Sequence, residues 1–455
     1  MVGSEERFEE ISVKIMEKAD ADEVEVRIID SDTALTRYAN SQIHQNIGQE
    51  DVDISIRAVF DKKIGSASAH SLEEDSILNC LFKAETIARH QKNDPDFKGL
   101  PGPVDMEKVR ENYVDETAKF SPDQRAKKVK EIIEMAKSEG VDRVYGAFQN
   151  QVQKLFVANS NGVRMFSRFT SANLTTTAIA DWDNDQGFGW SESCSDDVRD
   201  IDHMKVGRTA VEKGLNNMDT EKIDLGEYDV VLEPLAVKSI LQYMDMMGFS
   251  AKKVQEQRSF MAGKFGEKIM DERVNIYDDV SDTDMIGYPF DYEGVPKQRV
   301  DMIDNGVANE VVYDSYTAGR EEDKESTGHA LPMPNPMSPL AMNLLMDTGD
   351  YTQEEMIEET DKGILVTRFN YCRPVHPVKG ILTGLTRDGT WLIEDGEVKH
   401  PLNNLRFTQN LIEAFDNIEA IGEKRKLFAM GYYPAYFAAP ALKISDFNFT
   451  GRTEF

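Results

Sequence analysis

Val24-Glu25-Val26-Arg27-Ile28-Ile29 reads as a strand. Leu35-Thr36-Arg37-Tyr38-Ala39-Asn40-Ser41 reads as a second, and Val52-Asp53-Ile54-Ser55-Ile56-Arg57-Ala58-Val59 alternates apolar and polar residues as a third. Working outward, Phe8, Ile11 and Ile15 have helical spacing ahead of this run, and a helix over about Ser71 to His90 closes it, with Ser71-Leu72-Glu73-Glu74 as its capping signal. The same order then returns. Val129, Ile132, Ile133 and Ala136 form a helix face, and strands are expected over Arg143–Phe148, Lys154–Ser160 and Ser171–Ile179. A helix from about Val198 to Leu215 closes the second run. Ala39-Asn40-Ser41 recurs as Ala158-Asn159-Ser160, an offset of 119 residues. The tripeptide and the matched order of five elements point to a duplicated unit.

A Pro/Gly/Asp-rich stretch from Asn93 to Pro103 separates the two units, and a second junction lies near Leu215 to Gly226. Beyond it a helix is expected over about Leu235 to Gly248, and loops over Pro289–Pro296 and Leu331–Pro339. Short strands follow at Ile364–Phe369, Ile381–Thr386 and Thr390–Ile393. Asp388-Gly389 signals a hairpin, Glu394-Asp395-Gly396-Glu397 turns again, and Leu411, Ile412, Phe415 and Ile418 mark a late helix. The fold class is α+β. An N-terminal α/β domain over 1–220, with sub-units of about 1–95 and 110–220, precedes a mostly β, barrel-like domain over 221–455.

The chain of 455 residues is 40% hydrophobic and carries a formal net charge of −30. That charge excludes functions built on clamping a nucleic acid backbone, and the densest basic run is only Lys424-Arg425-Lys426. No apolar run reaches the ~20 residues of a membrane span, and no secretory signal is expected at the start. Three scattered cysteines, Cys80, Cys194 and Cys372, form no disulfide framework, so the expected compartment is the cytoplasm.

The chemistry-bearing residues form no catalytic set. None of the seven histidines sits in H-E-x-x-H. Cys372 and His376 flank Pro374 in an extended stretch, where four residues span about 13 Å, too far to share one ion without a sharp turn. Ser326-Thr327-Gly328-His329 sets hydroxyls beside an imidazole without a nucleophile elbow. Met244, Met246, Met247 and Met261 read as core filling.

Other stretches carry a resemblance. Gln45-Asn46-Ile47-Gly48-Gln49-Glu50-Asp51, Arg258-Ser259-Phe260-Met261-Ala262-Gly263-Lys264-Phe265-Gly266-Glu267, and Tyr313–Ala318 with Ser326–Ala330 resemble segments of the TldD/PmbA family. Thr383–Thr390 followed by Asn404–Asn410 is the most specific stretch. The match covers nearly the whole chain and is closest to the PmbA branch, also called TldE. The resemblance implies an N-terminal α/β domain, a mostly β C-terminal domain, and subunits paired around an enclosed cleft. It also implies a TldD–TldE metallopeptidase acting on unfolded peptides. In TldD, H-E-x-x-x-H and a distant C-terminal cysteine hold zinc.

Here the H-E-x-x-x-H window falls on Gln242-Tyr243-Met244-Asp245-Met246-Met247, no histidine lies between His203 and His329, and the window Lys424–Met430 has no cysteine. The resemblance therefore implies no catalytic residue, metal ligand or cofactor on this chain, with zinc expected on a TldD-type partner. The chain would be a noncatalytic PmbA/TldE-type subunit of a cytoplasmic peptidase. Two alternatives remain: a free-standing homodimer that binds peptides without cleaving them, and a metallopeptidase with an atypical site. Peptide contacts are expected at Gly328, His329, Arg368, Phe369 and Asn370. The apolar run Tyr432–Leu442 is expected to lie partly exposed, ready for a dimer contact.

Overall fold

The computed structural model describes residues 3–106, 109–182, 185–430 and 434–453. Its first sheet is built from α1 (Glu5–Lys18), β1 (Glu23–Ala39), β2 (Gln42–Phe60), β3 (Lys63–Ala69) and α2 (Glu74–His90). After the short α3 (Asp115–Ala118) come α4 (Pro122–Ser138), β4 (Arg143–Asn159), β5 (Arg164–Trp182), β6 (Asp185–Ser195) and α5 (His203–Leu215). Helix, three strands, helix is thus written twice. The six strands form one sheet in the order β3-β2-β1-β4-β5-β6, and the two halves join through the antiparallel β1–β4 pair.

The duplication holds with different elements from those expected. Val24–Ile29 and Leu35–Ser41 are not two strands but the two ends of β1. Its polar centre, Asp30-Ser31-Asp32-Thr33, breaks the apolar pattern without breaking the ladder. Asp30 is buried and satisfied by Lys154 Nζ at 2.9 Å on the neighbouring strand. The third strand of each unit, β3 and β6, was not expected. Nor does Ser71 cap α2: the cap position is Glu73, and it makes no side-chain cap bond.

The second sheet starts with β7 (Gly226–Leu232), α6 (Pro234–Gly248) and α7 (Ala251–Gln255), then β8 (Ile276–Asp278), β9 (Val300–Asp304), β10 (Val307–Ala308), α8 (Ser315–Ala318), β11 (Asn343–Met346) and α9 (Gln353–Glu358). It continues with β12 (Lys362–His376), β13 (Ile381–Glu394), β14 (Glu397–Pro401), β15 (Leu405–Asn410), α10 (Leu411–Asp416), β16 (Ile418–Ala429) and β17 (Tyr436–Arg452). The path β7-β12-β13-β15-β17 closes on itself, because β17 also pairs with β7. This ring is the barrel-like element, and α6 packs against β12 and β17. Among the described residues no helix is long and apolar enough to cross a membrane.

Three further expectations change. Asp388-Gly389 does not turn a hairpin. β13 runs straight through it, with Asp388 (φ 55°) and Gly389 (φ 133°) at a register shift against β12. Ile418 lies beyond α10 and opens β16. The run Tyr432–Leu442 is not an exposed dimer face. Tyr432 and Tyr433 lie outside the described residues, and Ala435–Ala439, Ala441 and Leu442 are core residues in or leading into β17. One apolar core joins both sheets, with Leu155, Val157 and Phe169 of the first packed among Phe249, Phe260 and Phe437 of the second.

Candidate functional site

α6 carries the window in which the resemblance places a zinc motif. Pro at its first position starts the helix, and Ala236, Val237, Ile240, Leu241, Met244 and Met247 turn its apolar side inward. Gln242 lies half-buried and accepts from Lys238 Nζ at 3.1 Å, while the Tyr243 hydroxyl donates to the Cys372 carbonyl at 2.6 Å. Asp245 is fully buried. One of its oxygens accepts from the Ala341 N–H at 3.3 Å, and the other has no hydrogen-bond partner. Burial pushes this carboxyl well above its ordinary range, with Asp278 adding to the effect. A neutral acid among methionines does not fit the zinc ligand set of imidazoles, thiolates or ionised carboxylates.

His329, expected at a peptide contact, is instead fully buried. Its Nδ1 meets Thr327 Oγ1 at 2.9 Å and its Nε2 lies 3.1 Å from Asp278 Oδ1. The other Asp278 oxygen accepts from the N–H groups of Met342 (2.8 Å) and Asn343 (2.6 Å). Burial acts to raise the Asp278 carboxyl. His329, Lys297 and the Asn343 N–H outweigh it and hold the group below its usual value. Hydroxyl, imidazole and carboxylate thus stand in a row, but Thr327 Oγ1 already accepts from the Tyr313 N–H at 2.8 Å and donates to the Tyr313 carbonyl at 3.1 Å. The row fixes the loop's position and presents no nucleophile. Gly328 is buried too, at φ 77°, where a Cβ would sit 2.3 Å from the Pro296 carbonyl oxygen. Ser326, the other hydroxyl of this motif, accepts from the Gly328 N–H instead of facing His329.

Arg368, Phe369 and Asn370 lie elsewhere, on β12. Phe369 is in the core at 5% exposure, stacked parallel to Phe447, so it too cannot touch a peptide. Arg368 and Asn370 are half-buried on β12, where Arg368 meets β6 of the first sheet through Trp190. The Arg368 guanidinium lies 4.4 Å over the Trp190 ring and pairs with Asp388. Trp190 donates to Glu192 at 3.2 Å. Burial raises the Glu192 carboxyl against the pull of Lys238 and Arg368, lowers Lys238, and pushes the Cys372 thiol up to about 12. Farther along the chain, Tyr371 is 69% exposed with φ 49°, and Val375 and Val378 are exposed beyond it. Cys372 is buried while His376 is exposed, so this pair does not converge.

The basic run is neutralised. Arg425 holds Asp282 at 2.7 Å and Asp284 at 2.6 Å, and Lys424 holds Glu423 at 2.6 Å. Trp190 and Glu192 are not among the expected site residues; Gly187 and Gly189 beside them break the apolar alternation that would mark their strand.

Comparison with known proteins follows this geometry. Residues 24–88, 115–218 and 225–451 match, in order, domain 1, the central domain and the C-terminal domain of the PmbA/TldA metallopeptidases. The chain is 22% identical to the metalloprotease PmbA of Escherichia coli O157:H7 over 421 residues, covering 89% of this chain and 88% of that protein. It is 20% identical to a metalloprotease of Methanocaldococcus jannaschii over 443 residues, covering 92% and 93%. Its fold matches TldE of Thermococcus kodakarensis with a TM-score of 0.87 at 23% identity, over 98% of this chain and 100% of that one. Three consecutive domain matches that leave only short connecting segments, on a fold shared with a TldE structure, place the chain in the TldD/PmbA family, on its PmbA/TldE branch.

Proposed function

We propose that this chain is a noncatalytic PmbA/TldE-type subunit that helps form the peptide cleft of a metallopeptidase, with zinc carried by a TldD-type partner. The observation that carries the reading is α6. At the window 242–247 it offers a half-buried amide, a tyrosine tied to Cys372 and one sealed aspartic acid. A hydrolytic zinc needs three protein ligands and an open position for water. Peptide handling is supported by half-buried Trp190, Glu192, Lys238 and Arg368, with Asn370 and the exposed Tyr371 farther along β12.

Affinity purification of the chain from its native cell, followed by elemental analysis, tests this. The expected result is a TldD-type partner, about one zinc in the complex, and none on the isolated chain. Chelator-sensitive peptide cleavage by the isolated chain would replace the proposal with the atypical-site reading.

A further inference from the structure

The duplication makes β3 and β6 equivalent strands at opposite edges of the first sheet. They are finished differently. β6 packs against β13 and β16 of the second sheet. β3 pairs, among the described residues, only with β2. Every second residue of an edge strand turns its N–H and C=O outward, and natural sheets blunt such edges with charge, proline, a bulge or a cover. β3 reads Lys-Ile-Gly-Ser-Ala-Ser-Ala, and its pairing with β2 is continuous and bulge-free. After Lys63 no charge or proline protects it.

Beside this edge lies a recess of about 680 Å³. Ser66, Ala67 and Ser68 line it from the strand, Phe82 and Ile87 from α2, and Pro332 and Pro334 from the loop opposite. Phe82 is 67% exposed and Ile87 41% exposed, so an apolar wall stands in water beside a bare edge. α2 lies tight on β3: a Cβ at Gly65 would come 2.2 Å from the Ala84 carbonyl oxygen, so that face of the strand is closed, and the recess opens along the edge and over the opposite face, where Arg27, Asp53 and Ser55 also line it.

We propose that the β3 edge binds an extended peptide by strand addition. Small side chains on β3 leave the guest's side chains room, and backbone pairing demands no particular sequence. The net charge of −30 selects basic or neutral guests over acidic ones. The inference rests on the peptide-handling part of the proposed function. It does not rest on the zinc or the partner.

The test uses the full chain and a fluorescein-labelled peptide of alternating valine and lysine. Two further peptides carry backbone N-methyl groups on the odd or on the even residues. A guest strand faces β3 with only one of these sets. One methylated peptide should lose about tenfold or more in affinity and the other about twofold or less. Exchange at amides of 63–69 should slow on binding, and Phe82→Glu with Ile87→Glu, both on the exposed wall, should weaken binding about fivefold or more without altering the unfolding midpoint. Equal binding of both methylated peptides overturns the proposal, as does protection confined to β6 and β12. That second outcome leaves the proposed function standing. Slow exchange at 63–69 without peptide, in step with a concentration-dependent dimer, assigns the edge to a second copy and overturns it as well.

Discussion

Replacing Arg57 by methionine should break the joint between the two halves of the molecule. Arg57 lies on β2, and its side chain is 6% exposed. It donates to Glu25 at 2.6 Å and to Glu293 at 3.0 Å through both terminal nitrogens. Glu25 belongs to the first sheet and Glu293 to the loops of the second half, where its other oxygen accepts from Ser315 Oγ at 2.5 Å. Removing the guanidinium leaves two buried carboxylates without the cation that bridges them, and breaking one side of a buried pair costs about 3–5 kcal/mol. Burial already raises the Glu25 carboxyl, with Arg57 opposing it. In the variant Glu25 should rise further and take up a proton on folding. A carboxylate whose folded pKa lies above its unfolded value is stabilised by acid, so the loss should be largest near about pH 7.5 and smaller near about pH 5.5. Urea denaturation at the two pH values measures this. Adding Glu293→Gln to Arg57→Met should cost less than the separate losses combined, because the second change removes a charge the first stranded. A loss below about 1 kcal/mol with no pH dependence would refute the reasoning, because it would mean that water reaches the pair.

Other outcomes are equally direct. Asp245→Asn should raise the urea midpoint, and the gain should grow from about pH 4 to about pH 7. The raised Asp245 carboxyl holds a proton in the fold that the unfolded chain releases over that range, and asparagine removes this cost; a lowered midpoint at neutral pH would show that Asp245 acts as an ion. Gly328→Ala should cost about 1–3 kcal/mol from the left-handed backbone alone, and more from the contact with the Pro296 carbonyl, read as a fall in thermal midpoint. Gln242→His, Tyr243→Glu and Met247→His together should bind no zinc by elemental analysis, because residues five apart on a regular helix point about 140° apart and Met247 faces the core. Thermal midpoints should rise with moderate NaCl, since salt screens the excess charge over about 10 Å at 0.1 M, and a flat response would remove that reading.

What was legible in the sequence was the repetition and the helices, because burial against a sheet imposes a strict period. What was not legible was the third strand of each unit. Gly65 in β3 and Gly187 and Gly189 in β6 interrupt the apolar alternation that marks a strand, and they are where the closing helices press in. A Cβ at Gly187 would lie 2.0 Å from the Gly214 carbonyl oxygen, and one at Gly189 would lie 2.1 Å from that of Ala210. Gly-x-Gly with Phe188 and Trp190 on the alternate positions was therefore a strand signal, with space for a helix on one face. The same blindness hid Trp190 and Glu192 from the candidate site. Asp30 and Asp388 misled in the opposite way. Both are polar residues in mid-strand, satisfied by Lys154 and Arg368 on neighbouring strands, and pairing across a sheet leaves no trace in local sequence.

The peptide contacts expected from family-specific segments divide along the same physical line. Arg368 and Asn370 are half-buried on β12, whereas Gly328, His329 and Phe369 are interior. Specific sequence marks residues the fold cannot exchange, and the Thr327–His329–Asp278 row shows why such a residue need not meet a ligand. Asp278 receives two N–H groups from the segment that runs into β11, and His329 joins its other oxygen to the loop behind Gly328. Lys297 enters the same centre through Asn343 at 2.6 Å. Three loops are fixed against β8 and β11 by this buried Asp278–His329 contact and its neighbours. A carboxylate behind an imidazole is present, but the hydroxyl is held by the Tyr313 backbone and His329 itself is fully buried. α6 is the same case, with Asp245 the only carboxylate in the window and Ala341 as its partner. In both places polar groups that a catalytic site would turn toward substrate are turned toward the chain's own backbone, as the proposed noncatalytic role requires.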